Sequence, residues 1–369
     1  MNPTRRRVLR SGAGALALGG LAGCLDETAG GPTGFDSAYA AFFALADWSQ
    51  AVAGDAATVE NPVDFGQLGH GWEPDGDLPR EVASTDAFVY LDTPEFSWAQ
   101  DLASTLEADY EGVAAIDALD GLESRMIDSS HGHGHGDEHA EDADAHDGED
   151  EHHDETEDGH HNETEDGHHN ETGDEHHDEH ADETASEVDR GQFDPHVWVD
   201  PVLAQEMVDT IAAGFAEIDP ENGESYETNA AAYNDRLADL DSQLQALADD
   251  AERSTVVLAT HSSFAYVEAR YDFEIHTVAG ISPDAEPDSS EIAGTVDLVD
   301  ESGIDVILYD RFESDRLAET IVENSGATET MAVTAGAGTL REWADDGLDF
   351  VDQMEQITIP AFRRALGAE

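Results

Sequence analysis

The sequence predicts an α/β protein whose strands form parallel sheets covered by helices. Short apolar runs alternate with helical segments throughout residues 254–366, and a less regular alternation occupies residues 38–116. This alternation favours parallel strands with helices on both faces of the sheet. A long helical stripe over residues 219–253 separates the two regions. Without a polar insert of about sixty residues and a start of about thirty, the chain of 369 residues suits roughly two domains.

The region before the insert contains two predicted helices and two predicted strands. Apolar residues recur at helical spacing over residues 38–53, and a loop rich in glycine follows. Residues 86–91 (DAFVYL) and 112–116 (GVAAI) are short apolar runs typical of buried parallel strands. Residues 97–108, which lie between these two runs, predict the second helix.

The middle of the chain predicts two consecutive helices, over residues 202–218 and 219–253. Asp219 and Pro220 form a suitable N-cap and first-turn pair for the second helix. A stripe of this length fits either a dimeric coiled coil or a single rigid helix that lies along two domains. The apolar residues of the stripe step alternately by four and three: Tyr226, Ala230, Tyr233, Leu237, Leu240, Leu244 and Leu247.

The region after the long helix predicts four strands and four helices in strict alternation. The predicted strands are residues 254–259, 274–279, 305–309 and 329–333. The predicted helices are residues 263–270, 291–301, 315–324 and 348–366.

The first 24 residues are typical of an export signal. Three arginines precede a short Ala/Leu/Gly run that is too short to span a membrane. Residues 4–9 resemble a twin-arginine signal, and residues 21–24 resemble a lipoprotein cleavage box. Cys24 is the only cysteine, so an intramolecular disulfide is excluded, and we expect Cys24 to carry a lipid at the outer face of the cell membrane. Residues 25–34 predict a flexible tether.

Residues 129–190 form a polar insert that we expect to be disordered, because it has almost no apolar surface to bury. Imidazoles and carboxylates are the ligands of zinc and other borderline divalent metals, so the insert predicts an auxiliary metal-binding segment. It holds fourteen of the 18 histidines: His131, His133, His135, His139, His146, His152, His153, His160, His161, His168, His169, His176, His177 and His180.

The formal net charge is -71, and all 15 basic residues are arginines. Residues 131–190 contribute only 25 of the 86 acidic residues, so the remainder of the chain is strongly acidic as well. This surface repels nucleic acid and anionic lipid. Because molar salt shortens the Debye length to about 3 Å and screens the self-repulsion, we infer adaptation to high salt, as in a halophilic microbe.

Three histidines outside the insert lie in short motifs of segments that are predicted to fold. His70 begins HGWEP, His196 lies in DPHVWVDP, and His261 lies in THSSFAYVEARY. His261 directly follows a predicted strand, and ligands of open α/β sheets gather at the carboxyl ends of strands. His276 lies inside a predicted strand and is expected to be structural.

These motifs resemble the three histidine motifs of metal-binding subunits of ABC importers, the cluster A-I zinc/manganese solute-binding proteins. Residues 281–292 (ISPDAEPDSSEI) resemble the segment that follows them. The resemblance implies two similar lobes with parallel sheets flanked by helices, joined by one long rigid helix. The lobes would be residues 35–218, with the insert, and residues 254–369, and the linking helix would be residues 219–253.

The resemblance also implies a metal in the cleft between the lobes, with His70 and His196 from the first lobe and His261 from the second. Three neutral imidazoles and one oxygen suit tetrahedral Zn²⁺, whereas carboxylates suit Mn²⁺. Many family members place the fourth ligand, a carboxylate, in a late loop, but residues 332–338 (AVTAGAG) contain none. A water, Asp284 or Glu286 would then complete the site, and solvated surface is the alternative assignment for these two carboxylates.

We therefore expect an extracytoplasmic, lipid-anchored monomer that captures Zn²⁺ and passes it to an ABC permease and its ATPase. The insert would raise the local metal concentration, or serve only as a solvated acidic spacer. A manganese-importer subunit and a secreted zinc buffer are alternatives. A secreted zinc hydrolase would need a general base, and Glu73 is the obvious candidate beside the histidines. The chain contains no HExxH motif, so we expect no enzyme.

Overall fold

Two four-stranded parallel sheets with the same strand order form the framework of the protein. The computed structural model describes residues 34–110, 112–128, 193–281 and 287–368. The predicted export signal, most of the tether, the histidine-rich insert, Asp284 and Glu286 lie outside the described residues. Within the described residues, no helix is both long enough and apolar enough to cross a membrane.

The first sheet has the order β2-β1-β3-β4, and the second sheet has the order β6-β5-β7-β8. Neighbouring strands pair in parallel throughout both sheets. Each sheet therefore places its first strand in the middle, which gives each one a point where the strand order reverses. The strands are β1 (Ser37–Ala40), β2 (Thr58–Glu60), β3 (Ala87–Tyr90), β4 (Ala114–Asp117), β5 (Thr255–Leu258), β6 (Glu274–Thr277), β7 (Val306–Asp310) and β8 (Glu329–Val333).

Helices α1–α4 belong to the first sheet and helices α6–α11 to the second; we call these two assemblies the first and second lobes. Helix α5 links them. The last two helices are joined by a π-helical turn, Met354–Thr358. The helices are α1 (Phe43–Ala53), α2 (Leu78–Val82), α3 (Ser97–Asp109), α4 (Pro201–Ile218), α5 (Gly223–Asp249), α6 (Ala265–Arg270), α7 (Ser289–Ser302), α8 (Arg316–Asn324), α9 (Arg341–Asp345), α10 (Phe350–Gln353) and α11 (Ile359–Leu366).

The prediction of one helix over residues 38–53 is wrong at its start. Ala38 to Ala40 lie in β1, where they pair in parallel with β2 and β3, and α1 begins only at Phe43. The sequence Ala-Tyr-Ala fits a central strand as well as a helix, and pairing with two neighbouring strands decides the outcome. Strand β2 and helices α2 and α9 were not predicted, because each has only three to five residues.

Helix α5 begins at Gly223 and ends at Asp249, so it is shorter at both ends than the predicted residues 219–253. Asp219 does not cap it; its carboxylate accepts hydrogen bonds from Asn222 and Tyr226 of the first turns. All seven residues of the predicted stripe are buried within this chain. The stripe is therefore used for packing inside one chain and is not free to form a coiled coil.

One hydrophobic core extends from the first lobe across α5 to one face of the second sheet. Val256 and Leu258 of β5 point into this core, whereas Val257 and Ala259 point into a smaller core on the opposite face. This division follows from the alternation of side chains along a strand. Helix α11 covers the first of these faces, and helices α7 and α8 cover the other.

A half-buried carboxylate of the first lobe contacts both α5 and the second lobe. Asp47 of α1 accepts hydrogen bonds from the Tyr233 hydroxyl of α5 at 2.6 Å and from the Phe350 N–H of α10 at 3.2 Å. Trp48 packs edge-on against the Phe350 ring, with centroids 5.2 Å apart. Burial raises the pKa of Asp47 to about 6, and the charge of Asp349 adds to the shift.

We predict that Asp47→Asn removes part of the pH dependence of folding stability. In the folded protein Asp47 keeps its proton up to about pH 6, but the unfolded chain loses it near 3.8. The free energy of unfolding therefore falls as pH rises between these two values, by up to about 3 kcal/mol from this group. Asparagine can still accept both hydrogen bonds but does not titrate, so this share of the slope should disappear.

Urea unfolding at constant molar salt between pH 4 and 7 measures this slope. Asp101→Asn, a charge removal at an exposed position of α3, is the matched control and should retain the slope of the wild type. An Asp47→Asn variant with an unchanged slope would contradict the account.

Candidate metal centre

Three histidines from the two lobes meet at the cleft between them. His70, His196 and His261 each offer a ring nitrogen, and these nitrogens all lie within 4.8 Å of one another. The ring centroids are 5.2 to 5.4 Å apart, and the Nε2 atoms of His196 and His261 are 3.3 Å apart. All three residues are buried. The structure thus brings together the three histidines that the motifs singled out.

Two glycines position His70 in the loop between β2 and α2. A Cβ on Gly69 would lie 2.4 Å from the Cβ of Phe42, so only glycine allows this close approach. Gly71 has φ of 71°, a left-handed conformation that favours glycine. The Gly69 carbonyl accepts a hydrogen bond from the Trp98 indole at 3.2 Å. The loop is therefore fixed immediately beside the histidine.

Asp194 holds His196 through both its backbone and its ring. The Asp194 Oδ1 atom accepts a hydrogen bond from the His196 N–H at 2.8 Å and lies 2.9 Å from its Nδ1. A short 3₁₀ turn follows, and the Asp200 carboxylate caps α4 by accepting from the N–H groups of Val202 and Leu203. The contact at Nδ1 leaves Nε2 of His196 facing the other histidines.

His261 follows β5 at the carboxyl end of the second sheet. The Ser262 N–H donates to the Gly280 carbonyl at 2.8 Å, which fixes the backbone next to the histidine. Nδ1 of His261 forms a hydrogen bond with Glu313, so Nε2 faces His196. Glu313 was not predicted, because it is a single carboxylate in a loop and belongs to no recognisable sequence motif.

The second and third histidine motifs also bind each other across the cleft. The Tyr266 hydroxyl donates to the Asp194 carbonyl at 2.8 Å and accepts from the Ile127 N–H at 3.1 Å. The Arg270 guanidinium binds the Asp200 carboxylate with two nitrogens. These contacts explain why both motifs contain more than their histidine: the flanking residues hold the two lobes together beside the site.

Two further contacts fix the glycine-rich late loop of the second lobe on the first lobe. The Trp198 indole donates to the Ala335 carbonyl at 2.8 Å, and the Gly66 N–H donates to the Thr339 carbonyl at 2.9 Å. A Cβ on Gly338 would lie 2.4 Å from the Gln67 carbonyl oxygen. This loop therefore packs against the segment before His70 and offers the site no carboxylate.

Burial keeps the imidazoles of His70 and His196 uncharged. Desolvation, together with the neighbouring His196 and His261, lowers the pKa of His70 to about 2. Burial also lowers the pKa of His196, although Asp194 opposes the shift. The His70 Nε2 atom is buried without a hydrogen-bond partner among the described residues. Neutral imidazoles with available lone pairs are the form that binds a metal.

The other candidate residues lie apart from this cluster or outside the described residues. His276 forms a hydrogen bond with Thr295 at 2.9 Å inside the second lobe. Asp284 and Glu286, the two candidates for a fourth ligand, lie outside the described residues, as do the insert histidines and Cys24. Asp310, which was not predicted, is fully buried near His261, and burial raises its pKa to about 6.

Comparison with known proteins gives consistent results. A family model described as the periplasmic component A of the zinc-uptake complex matches residues 39–358. The high-affinity zinc uptake system protein ZnuA of Bacillus subtilis is 35% identical over 163 residues, which are 44% of this chain and 50% of that protein. The zinc-binding lipoprotein AdcA of Streptococcus pneumoniae is 26% identical over 321 residues, which are 85% of this chain and 53% of that protein. The chain thus spans about half the length of these curated relatives.

Solved structures show the same fold. The metal-dependent lipoprotein YcdH of Bacillus subtilis superposes with a TM-score of 0.64 at 23% identity, over 90% of this chain and 99% of that one. The Zn(II)-bound ZnuA-like domain of Streptococcus pneumoniae AdcA gives the same TM-score, identity and coverage. At this identity the likeness concerns the fold.

We predict that Tyr266→Phe destabilises the protein by about 1–3 kcal/mol, because the Ile127 N–H and the Asp194 carbonyl both lose their partner. Urea unfolding at constant molar salt measures the loss. Tyr110→Phe, at an exposed position, is the control. If both variants lose the same small amount, the Tyr266 hydroxyl does not hold the two motifs together.

Proposed function

The chain belongs to the family of periplasmic zinc-uptake component A proteins, and from this membership we propose that it is the extracytoplasmic zinc-binding subunit of an ABC importer. The observation that carries the proposal is the buried cluster of His70, His196 and His261, which combines ligands from both lobes in one cleft. Zn²⁺ is the cargo, and a membrane permease with its ATPase receives it. Relatives with zinc-binding names support the same function.

The donor set favours zinc over manganese. Among the described residues, the cluster offers three imidazole nitrogens and no carboxylate. Three imidazoles and one oxygen complete the tetrahedral shell of Zn²⁺, whereas Mn²⁺ prefers harder oxygen ligands. We propose that the oxygen comes from a water, or from Asp284 or Glu286. A manganese-importing subunit would need a carboxylate among the ligands, so it is the weaker alternative.

We propose that the histidine-rich insert concentrates metal close to the cleft. Asp128, on the N-terminal side of the insert, and Phe193, on its C-terminal side, pair in an antiparallel bridge. Phe193 precedes His196 by three residues. Metal bound on a segment tethered there would have a high effective concentration at the site. A lipid on Cys24 would hold the protein at the outer face of the membrane near its permease, and one pneumococcal relative is named a lipoprotein.

We further propose that the protein is a monomeric carrier and not an enzyme. Glu73, the candidate general base for a zinc hydrolase, is exposed. It lines a cavity with Tyr39, Glu60 and Trp72 on the first lobe, and none of the three histidines lines that cavity. A panel of ester, peptide and phosphate substrates should give no zinc-dependent turnover.

The proposal predicts one tight zinc site and only weak manganese binding in a chain without residues 131–190. This deletion leaves a four-residue connection between Asp128 and Phe193, which suits a hairpin between paired residues. Replacement of His70, His196 or His261 by alanine should weaken zinc binding by more than about 100-fold, beyond the loss expected for residues that only support a ligand.

Competition with a chromophoric chelator at molar salt measures these affinities. His276→Ala, which removes an imidazole outside the cluster, is the control and should bind zinc as the wild type does. Tight zinc binding that survives all three alanine replacements would overturn the site assignment. Absence of any tight site would favour metal buffering by the insert instead.

A further inference from the structure

Glu313 and His261 follow two neighbouring strands of the second sheet. His261 comes after β5 and Glu313 after β7, and these strands pair in parallel. Their carboxyl ends therefore lie side by side, at the point where the strand order of the sheet reverses. The Glu313 carboxylate binds Nδ1 of His261 from this side.

The loop that carries Glu313 is fixed by backbone hydrogen bonds. The Asp310 N–H donates to the Thr260 hydroxyl at 3.1 Å, and the Phe312 N–H donates to the Asp310 carboxylate at 2.8 Å. The Glu313 N–H donates to the Asp310 carbonyl at 3.1 Å. The Glu313 side chain is only 15% exposed. The surrounding structure therefore restricts the Glu313 side chain to the conformation that contacts His261.

The same arrangement occurs at His196, where Asp194 binds Nδ1. In both pairs a carboxylate accepts a hydrogen bond from the Nδ1–H group. This fixes the imidazole in the tautomer that has its proton on Nδ1 and its free lone pair on Nε2. Both Nε2 atoms then face each other across 3.3 Å. Glu313 therefore does for the second lobe what Asp194 does for the first.

Glu313 also contributes negative charge close to the site. Among the described residues, the donor set is three imidazoles and no carboxylate, so a bound Zn²⁺ would bring its double positive charge into a buried site. A buried charge is costly unless an opposite charge lies near. The late loop, residues 332–338, has no carboxylate. Asp194 and Glu313 each place a carboxylate one hydrogen bond behind an imidazole that would bind the ion.

We propose that Glu313 is a positioning residue of the zinc site: through Nδ1 it fixes the tautomer of His261 and supplies the negative charge that the late loop lacks. The proposal rests on the function proposed above. It assigns part of the zinc affinity, and of the preference for zinc, to a carboxylate that does not itself touch the ion. Carboxylates in this position contribute about 10- to 100-fold in metal affinity.

Glu313→Gln tests the charge with little change of shape. The amide oxygen of glutamine still accepts the Nδ1 proton, so a purely structural role predicts no change in affinity. The proposal predicts that Zn²⁺ binding weakens about 10- to 100-fold. Glu313→Ala, which removes the hydrogen bond as well, should weaken binding at least as much. Asp315→Asn removes the same charge from an exposed position two residues away and should bind zinc within twofold of the wild type.

The full chain can be used, because one of its five tryptophans, Trp198, lies beside the cleft site and its emission can respond to zinc there. The insert contains no aromatic residue, whereas the Trp198 ring lies 5.2 Å from the His196 ring. Titration with Zn²⁺ at molar salt, with the competing chelator present, gives the affinity of the cleft site. Thermal unfolding of the metal-free variants, expected to match the wild type for Glu313→Gln, shows that the fold is retained.

The possible results separate this inference from the proposed function. If the wild type responds to zinc through the three histidines and a folded Glu313→Gln variant binds as tightly, the inference is overturned and the function stands. If the wild type shows no response that depends on His70, His196 and His261, the proposed function fails, and this inference fails with it. Weak binding by Glu313→Gln with normal binding by Asp315→Asn supports the inference.

Discussion

Three imidazole nitrogens that belong to two lobes can lie within 4.8 Å of one another only if the lobes keep one fixed relation. Several features of the fold serve this constraint. Helix α5 packs its whole apolar stripe against a core shared by both lobes, so the link between them is stiff. Tyr266 and Arg270 bind the segment that carries His196. Contacts outside the histidine cluster therefore preorganise the site.

The electrostatic setting of the site differs from that of the surface. The chain carries a formal net charge of -71, which attracts cations and is screened only at high salt. The cleft, by contrast, is lined by three imidazoles, and burial keeps those of His70 and His196 neutral. Among the described residues, the carboxylates of Asp194 and Glu313 lie behind two of the rings, each bound to an Nδ1 atom. A cation drawn to the acidic surface thus meets a small set of nitrogen donors with compensating charge at a fixed distance.

Much of the architecture was predictable because the signals were local and periodic. Alternating apolar runs predicted β5–β8, and the 4,3 stripe predicted α5, although its ends were placed wrongly. Strand β1 was not predicted, because its sequence Ser-Ala-Tyr-Ala satisfies a helical spacing equally well and its pairing partners lie far along the chain. His70, His196 and His261 were found because each lies in a motif. Glu313 was not found, because its role depends on two loops that meet only in the folded sheet.

We propose that a zinc ion is held in the cleft by one nitrogen from each of His70, His196 and His261. Anomalous diffraction at the zinc edge, from crystals of the full chain grown at molar salt with Zn²⁺, tests it most directly. The account predicts a strong peak in the cleft, about 2.0–2.1 Å from a ring nitrogen of all three histidines. A cleft without a peak, or a peak that touches residues of only one lobe, would contradict it.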